Sequence, residues 1–257
     1  MSRIGHNVPL EGFEHVTKML KDSAGKDGVI SRDDAEKLGQ ALREDGRGTE
    51  AYAAGKVFRM VDKFEDASGA RVTGKDLDQA RGFVENELLE SADTNRNGYS
   101  QAEVKTMPST GRALVEIGLK LQSDEKGVGG RVAHRIPELG LNHTAEMLKH
   151  AAGDDKITSR QDREELIGNL YREGRGTEAL AASYFFNFID ARDHERGARV
   201  TGKDIDRAVE VASERLLKNK DRNNNGYSQQ EIDRFSTSAK AFLEVGKLID
   251  AGITKPQ

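Results

Sequence analysis

The sequence predicts an all-α protein built from two homologous halves. Three observations carry this reading: apolar residues recur at helical spacing, strand-like alternation stops at three-residue snippets, and the chain repeats itself at a fixed offset. Gly46 to Ala51 (GRGTEA) recurs as Gly174 to Ala179. Gly69 to Asp76 (GARVTGKD) recurs as Gly197 to Asp204, and Asp93 to Glu103 (DTNRNGYSQAE) returns as Asp221 to Glu231 (DRNNNGYSQQE). One offset of 128 aligns all three without a gap, which means two lobes and not a solenoid array. The halves meet near Gly127 to Arg131, after the charged run Ser123-Asp124-Glu125-Lys126. The expected organisation is a first repeat at 1–126, a linker at 127–136 and a second repeat at 137–257.

Each helix is justified by a stripe that survives changes of residue between the halves. Ala54, Val57, Phe58 and Val61 are matched by Ala182, Phe185, Phe186 and Ile189. Leu77, Ala80, Phe83, Val84 and Leu88 are matched by Ile205, Ala208, Val211, Ala212 and Leu216, and Leu114, Ile117 and Leu121 by Phe242, Val245 and Ile249. These faces are expected to form the core. Between Asp76 and Asp93 there is room for one helix only, so that helix both leaves one loop and enters the next.

Composition narrows the function. Lys and Arg number 40 against 44 Asp and Glu, giving a net charge of −4 and a mean hydropathy of −0.71. No basic excess is available to neutralise nucleic-acid phosphates or an anionic membrane. The absence of cysteine excludes disulfides, thiolate metal sites and cysteine nucleophiles. The most apolar stretch, Ala179 to Ile189, is interrupted by Ser183 and Asn187 and is shorter than the ~20 residues of a membrane span. The N-terminus lacks a continuous apolar signal region, so cytoplasmic residence is expected, with export independent of a cleavable signal peptide as the alternative. No enzyme is expected. Gly48 to Lys56 has the wrong spacing for a phosphate loop, no Gly-x-Ser-x-Gly elbow occurs, and His143 and His150 read as surface residues, not zinc ligands.

The loops follow one grammar: an apolar residue, Ser or Thr, then an acid three positions on. It occurs at Ile30-Ser31 with Asp34, Val72-Thr73 with Asp76, and Tyr99-Ser100 with Glu103, and again at Val200-Thr201 with Asp204 and Tyr227-Ser228 with Glu231. Taken alone, each is a capping box, in which hydroxyl and acid satisfy each other's orphan amides. Upstream of Tyr99, however, stand Asp93, Asn95, Asn97 and Gly98, and upstream of Tyr227 stand Asp221, Asn223, Asn225 and Gly226. Alternate oxygen-bearing side chains ending on glycine suit a loop that turns every second residue toward a hard cation.

In these residues the chain resembles the EF-hand calcium-binding superfamily, with six loop-like segments over nearly its whole length. The resemblance implies helix-loop-helix units in two lobes, Ca²⁺ as the bound ion, and ligands from Asp93, Asn95, Asn97, Tyr99 and Glu103. The same roles fall to Asp221, Asn223, Asn225, Tyr227 and Glu231. One departure stands out: the acid falls at the eleventh loop position, where the family has it at the twelfth. The missing residue removes the usual carbonyl ligand, leaving the carbonyl of Tyr99 or Gly98 to replace it. Two carboxylates and two amides per loop imply affinity in the weak range, roughly 10⁻⁵ to 10⁻³ M.

The other loops are poorer. Ser23 to Asp34 and Ala151 to Asp162 lack early ligands, with Lys156 where glycine belongs, and read as non-binding. Glu65 to Asp76 offers few ligands, while its copy offers Asp193, Glu195 and Asp204 as a candidate further site. The first and middle loops are expected to pair through their short strands. The third loop is then left over, and its copy is the expected partner, Tyr99 against Tyr227. Two functions remain: a calcium sensor, buffer or calcium-stabilised adaptor acting through a protein partner, or a helical interaction scaffold whose loops are structural. Five methionines, including Met1, are too few for a Met-rich target groove.

Overall fold

A computed structural model describes residues 3–64, 71–90, 92–93, 97–126, 131–153, 155–191, 199–217 and 226–254. The protein is helical as expected, and it divides into two compact units. Unit 1 takes residues 1–43, 49–125 and 172–176, and unit 2 takes 44–48, 126–171 and 177–257.

In unit 1, α1 (Val8–Asp22) is followed by β1 (Val29–Ile30), α2 (Arg32–Glu44), α3 (Gly48–Phe64) and β2 (Val72–Thr73). Then come α4 (Gly74–Phe83), a π-helical continuation (Val84–Glu90), α5 (Gln101–Thr106) and α6 (Ser109–Lys126). Unit 2 repeats the order: α7 (Arg135–Ala151), β3 (Ile157–Thr158), α8 (Arg160–Arg172), α9 (Gly176–Asp190), β4 (Val200–Thr201), α10 (Gly202–Ala212), a π-helical turn (Ser213–Leu217), α11 (Gln229–Asp233) and α12 (Thr237–Asp250). Among the described residues, no helix is long and apolar enough to cross a membrane.

The strands pair as the loop separation predicts, β1 antiparallel to β2 with Ile30 opposite Val72, and β3 to β4 with Thr158 opposite Val200. The third loops do not pair with each other. Tyr99 exchanges both backbone hydrogen bonds with Ile4, and Tyr227 does so with Val132, each at 2.8 Å. The partner missing from the loop count is therefore the segment just before the first helix of the same unit. Residues 131–136, assigned by sequence to the linker, thus include this bridge and the start of α7, while 127–130 lie outside the described residues.

Each unit is closed by its first and last helices. On α1 and α6, Gly12 and Gly118 let the backbones touch: a Cβ at Gly12 would lie 2.2 Å from the Leu114 carbonyl oxygen, and one at Gly118 would lie 2.0 Å from that of Val8. Gly140 and Gly246 do the same for α7 and α12, at 1.9 Å from Phe242 and Ile136. The predicted stripes line the two cores, with Phe83 an exception among the described residues. Val84 and Leu89 are both buried, at 0% and 1% exposure, one π-turn apart, and Ala212 and Leu217 repeat this spacing. The wider turn buries Leu89 and Leu217, with Leu216 half-buried against the same core, while Phe83 is 37% exposed. His143 is a second correction. It is buried in unit 2, with its Nε2 2.8 Å from Glu178, because that buried carboxylate gives its ring nitrogen a partner.

The acid of every loop caps a helix. Ser31 and Asp34, Ser100 and Glu103, Ser159 and Asp162, Thr201 and Asp204, and Ser228 and Glu231 bond reciprocally, and Asp76 accepts from the Thr73 amide and hydroxyl. The Ser31 hydroxyl, helped by the Ser31 amide, holds the Asp34 carboxyl below its usual range, and Ser159 does the same for Asp162.

Three predictions follow from this architecture. Gly118→Ala and Gly246→Ala each force a methyl group into a facing backbone and should lower stability by about 1–3 kcal/mol in denaturant titration. Leu89→Ala should cost about 2–5 kcal/mol, and Phe83→Ala less than half of that, which locates the π-turn directly. Depressed carboxylates stabilise the fold above their unfolded value of about 3.9, and that stability is lost as pH falls through the lower folded value. Melting temperature should therefore drop below about pH 4, with a shallower acid slope in the Ser31→Ala, Ser159→Ala double variant.

Candidate metal loops and their straps

The third loop of unit 1 begins at Asp93, shortly after the π-helical segment that ends at Glu90. Its carboxylate is 1% exposed. Oδ1 accepts the Asn97 amide at 3.0 Å and Oδ2 the Gly98 amide at 2.9 Å, so the loop folds back onto its first residue. Oδ2 also lies 2.9 Å from His6 Nδ1, which donates because a carboxylate can only accept. Burial pushes the Asp93 carboxyl up, but the His6 hydrogen bond and the two amides outweigh it and hold the group ionised below its usual range. Gly98 makes the turn possible: its φ of 88° suits glycine, and a Cβ there would lie 2.4 Å from the Ile4 carbonyl oxygen.

A four-residue strap, Arg3 to His6, runs along this loop. Arg3 Nε and Nη2 both donate to the Gly98 carbonyl, at 2.8 and 2.6 Å, and Nη2 reaches Glu103 Oε2 at 2.7 Å. Ile4 forms the bridge to Tyr99, and the His6 ring stacks on that of Tyr99 with centroids 6.0 Å apart and planes within 7°. The Tyr99 carbonyl, an expected ligand, thus accepts the Ile4 amide, and its ring is buried. Glu103 is held ionised by the Ser100 hydroxyl and amide, with Arg3 adding to them.

Unit 2 reproduces the arrangement. Arg131 Nε donates to the Gly226 carbonyl at 2.8 Å and its Nη2 to Glu231 Oε2 at 2.6 Å, while His134 stacks on Tyr227 at 5.6 Å. Gly226 has a φ of 87°. Asn95, Asp221, Asn223 and Asn225 lie outside the described residues, as do Glu65, Asp193 and Glu195.

The structure therefore places Asp93, the Asn97 backbone, Tyr99 and Glu103 along one strap. The strap residues themselves escaped the sequence reading. Their signal is the same offset of 128, carried only by Arg3-Ile4-Gly5-His6 against Arg131-Val132-Ala133-His134. In the first loops, Asp27 and Asp155 accept the amides of Val29 and Ile157 in tight turns, and Lys156 adopts a φ of 58° where its counterpart Gly28 has 72°. No family model, curated protein or solved structure matches the chain.

As chemistry, the third loop of unit 1 presents ionised carboxylates, Asp93 and Glu103, and main-chain carbonyls, all hard oxygen donors of the kind calcium takes six to eight of. Each third loop also has a guanidinium on its glycine carbonyl and its closing Glu. Replacing Gly98 or Gly226 by Ala should lower stability by at least ~2 kcal/mol, since it imposes a strained φ and a clash with the strap together; chemical denaturation of the single variants measures this.

Proposed function

We propose that the protein binds calcium through EF-hand-like loops at 93–103 and 221–231 in two homologous lobes, acting as a sensor, buffer or calcium-stabilised adaptor for a protein partner. The observation that carries this reading is Asp93. It is a carboxylate taken out of water, kept ionised and fixed by the amides of its own loop, and it opens an alternating oxygen series that recurs from Asp221. Burying a charge is costly without compensation. Among the described residues three N–H donors offset that cost, the Asn97 amide at Oδ1 and the Gly98 amide and His6 ring at Oδ2. Asp93, Asn95, Asn97 and Glu103, with a carbonyl from Gly98 or Tyr99, would hold the ion. Its double charge would draw together groups otherwise held by hydrogen bonds alone.

A second reading has its own support. Arg3 and Arg131 already neutralise Glu103 and Glu231, which suits a scaffold whose loops are closed without metal.

Isothermal titration of the demetallated protein with Ca²⁺, in a millimolar Mg²⁺ background, separates the two readings. Saturation near two ions per chain is expected, with dissociation constants of roughly 10⁻⁵ to 10⁻³ M. Asp93→Asn with Asp221→Asn should weaken binding at least tenfold, by roughly the contribution of one ligand charge per site. Absence of binding by the wild-type chain favours the scaffold.

A further inference from the structure

We propose that Arg3 and Arg131 are tethered cations that compete with a divalent ion for the loops' own ligands and so set their affinity. This rests on the calcium reading above. In each unit one guanidinium spans two acceptors: the carbonyl of the loop glycine and the carboxylate of the loop-closing Glu. These are the carbonyl that would make up for the missing loop position and the acid that would close on the ion. A guanidinium fixed on both is a built-in cation of single charge. A calcium ion on the same oxygens would stand a few ångströms from it, and the two cations would compete for the same lone pairs while repelling each other through partly screened solvent. Ion entry therefore requires the arginine to let go.

The structure makes that release easy and reversible. The Arg3 and Arg131 side chains are 38% and 39% exposed, so water can take over their hydrogen bonds. The backbone pairs Ile4–Tyr99 and Val132–Tyr227 hold each arginine beside its loop after release, which keeps its effective concentration high. The same two contacts recur in both units, although Thr94 and Arg96 of one loop are Arg222 and Asn224 in the other. The clasp is retained where loop positions upstream of it are not.

The test uses the full-length chain and the double variant Arg3→Gln, Arg131→Gln, which removes the charge and leaves a shorter side chain that keeps a neutral amide donor. Calorimetric titration with Ca²⁺ should show about tenfold tighter binding than wild type, the scale of one charge-assisted contact set. The melting temperature should fall in the metal-free variant and recover when it is loaded. Arg3→Lys with Arg131→Lys keeps the charge and should stay near wild-type affinity. Equal or weaker binding by a folded Gln variant overturns the competition and leaves the calcium reading standing. No binding by wild type or any variant overturns both. Binding by the Gln variant alone supports competition strong enough to close the wild-type loops. An independent readout on wild type is the NMR signal of the arginine Nε–H groups. Two of them should lose their hydrogen-bonded shift on calcium saturation, and unchanged signals in a saturated sample sink the proposal.

Discussion

The approach of α1 to α6 through Gly12 and Gly118 is the constraint on which the rest of unit 1 depends. Two backbones that leave no room for a methyl group can slide or rotate very little, so the crossing fixes the register of both helices. The strap lies immediately before α1, and the third loop runs through α5 into α6. Locking α1 on α6 therefore brings Arg3, Ile4 and His6 to Gly98, Tyr99, Glu103 and Asp93, across sequence separations of 87 to 100 residues. Gly140 and Gly246 impose the same condition on unit 2.

The polar groups then decide what the loop can do. Every loop acid caps a helix, and this explains why an acid in that position cannot by itself identify a metal site. What distinguishes the third loop of unit 1 from the first loops is the acid at its start. Asp93 is buried, so its charge must be met from within the protein, and the two amides that meet it belong to the turn made by Gly98. Asp27 and Asp155 open no comparable enclosure; each accepts one amide near the surface. The difference between a capped turn and a candidate ion site is thus the burial of one carboxylate, not the number of acids.

Much of the fold was legible in the sequence because helical faces and short strand pairs are local or nearly so. The Ala54 to Val61 stripe, the Val29–Thr73 pairing and the single helix between two loops all follow from spacing. Leu89 shows where spacing falls short: it is buried one π-turn after Val84, and no residue type in Val84 to Glu90 announces that turn. The glycine crossings were equally silent, because Gly12 and Gly118 gain meaning only when their helices meet. Within the site, Asp93 and Glu103 were recognisable from the loop pattern. Arg3 and His6 were not, since four residues with two identities make a weak repeat beside the eight-letter match at Gly69 to Asp76.

Three loops per unit leave one strand edge without a partner, and an exposed edge invites pairing with another chain. The strap removes that liability, and in doing so it ties the third loop to α1. An ion bound at Asp93 to Glu103 would therefore act on more than the two helices flanking its loop. Any change it makes at Gly98 or Glu103 is felt by Arg3, and through the Ile4–Tyr99 bridge by the start of the unit. By linkage, whatever held or freed residues 3–6 would change the proposed ion affinity of the loop by the same factor that the ion would change the strap. A partner that gripped the strap would tune the ion site without touching a single ligand.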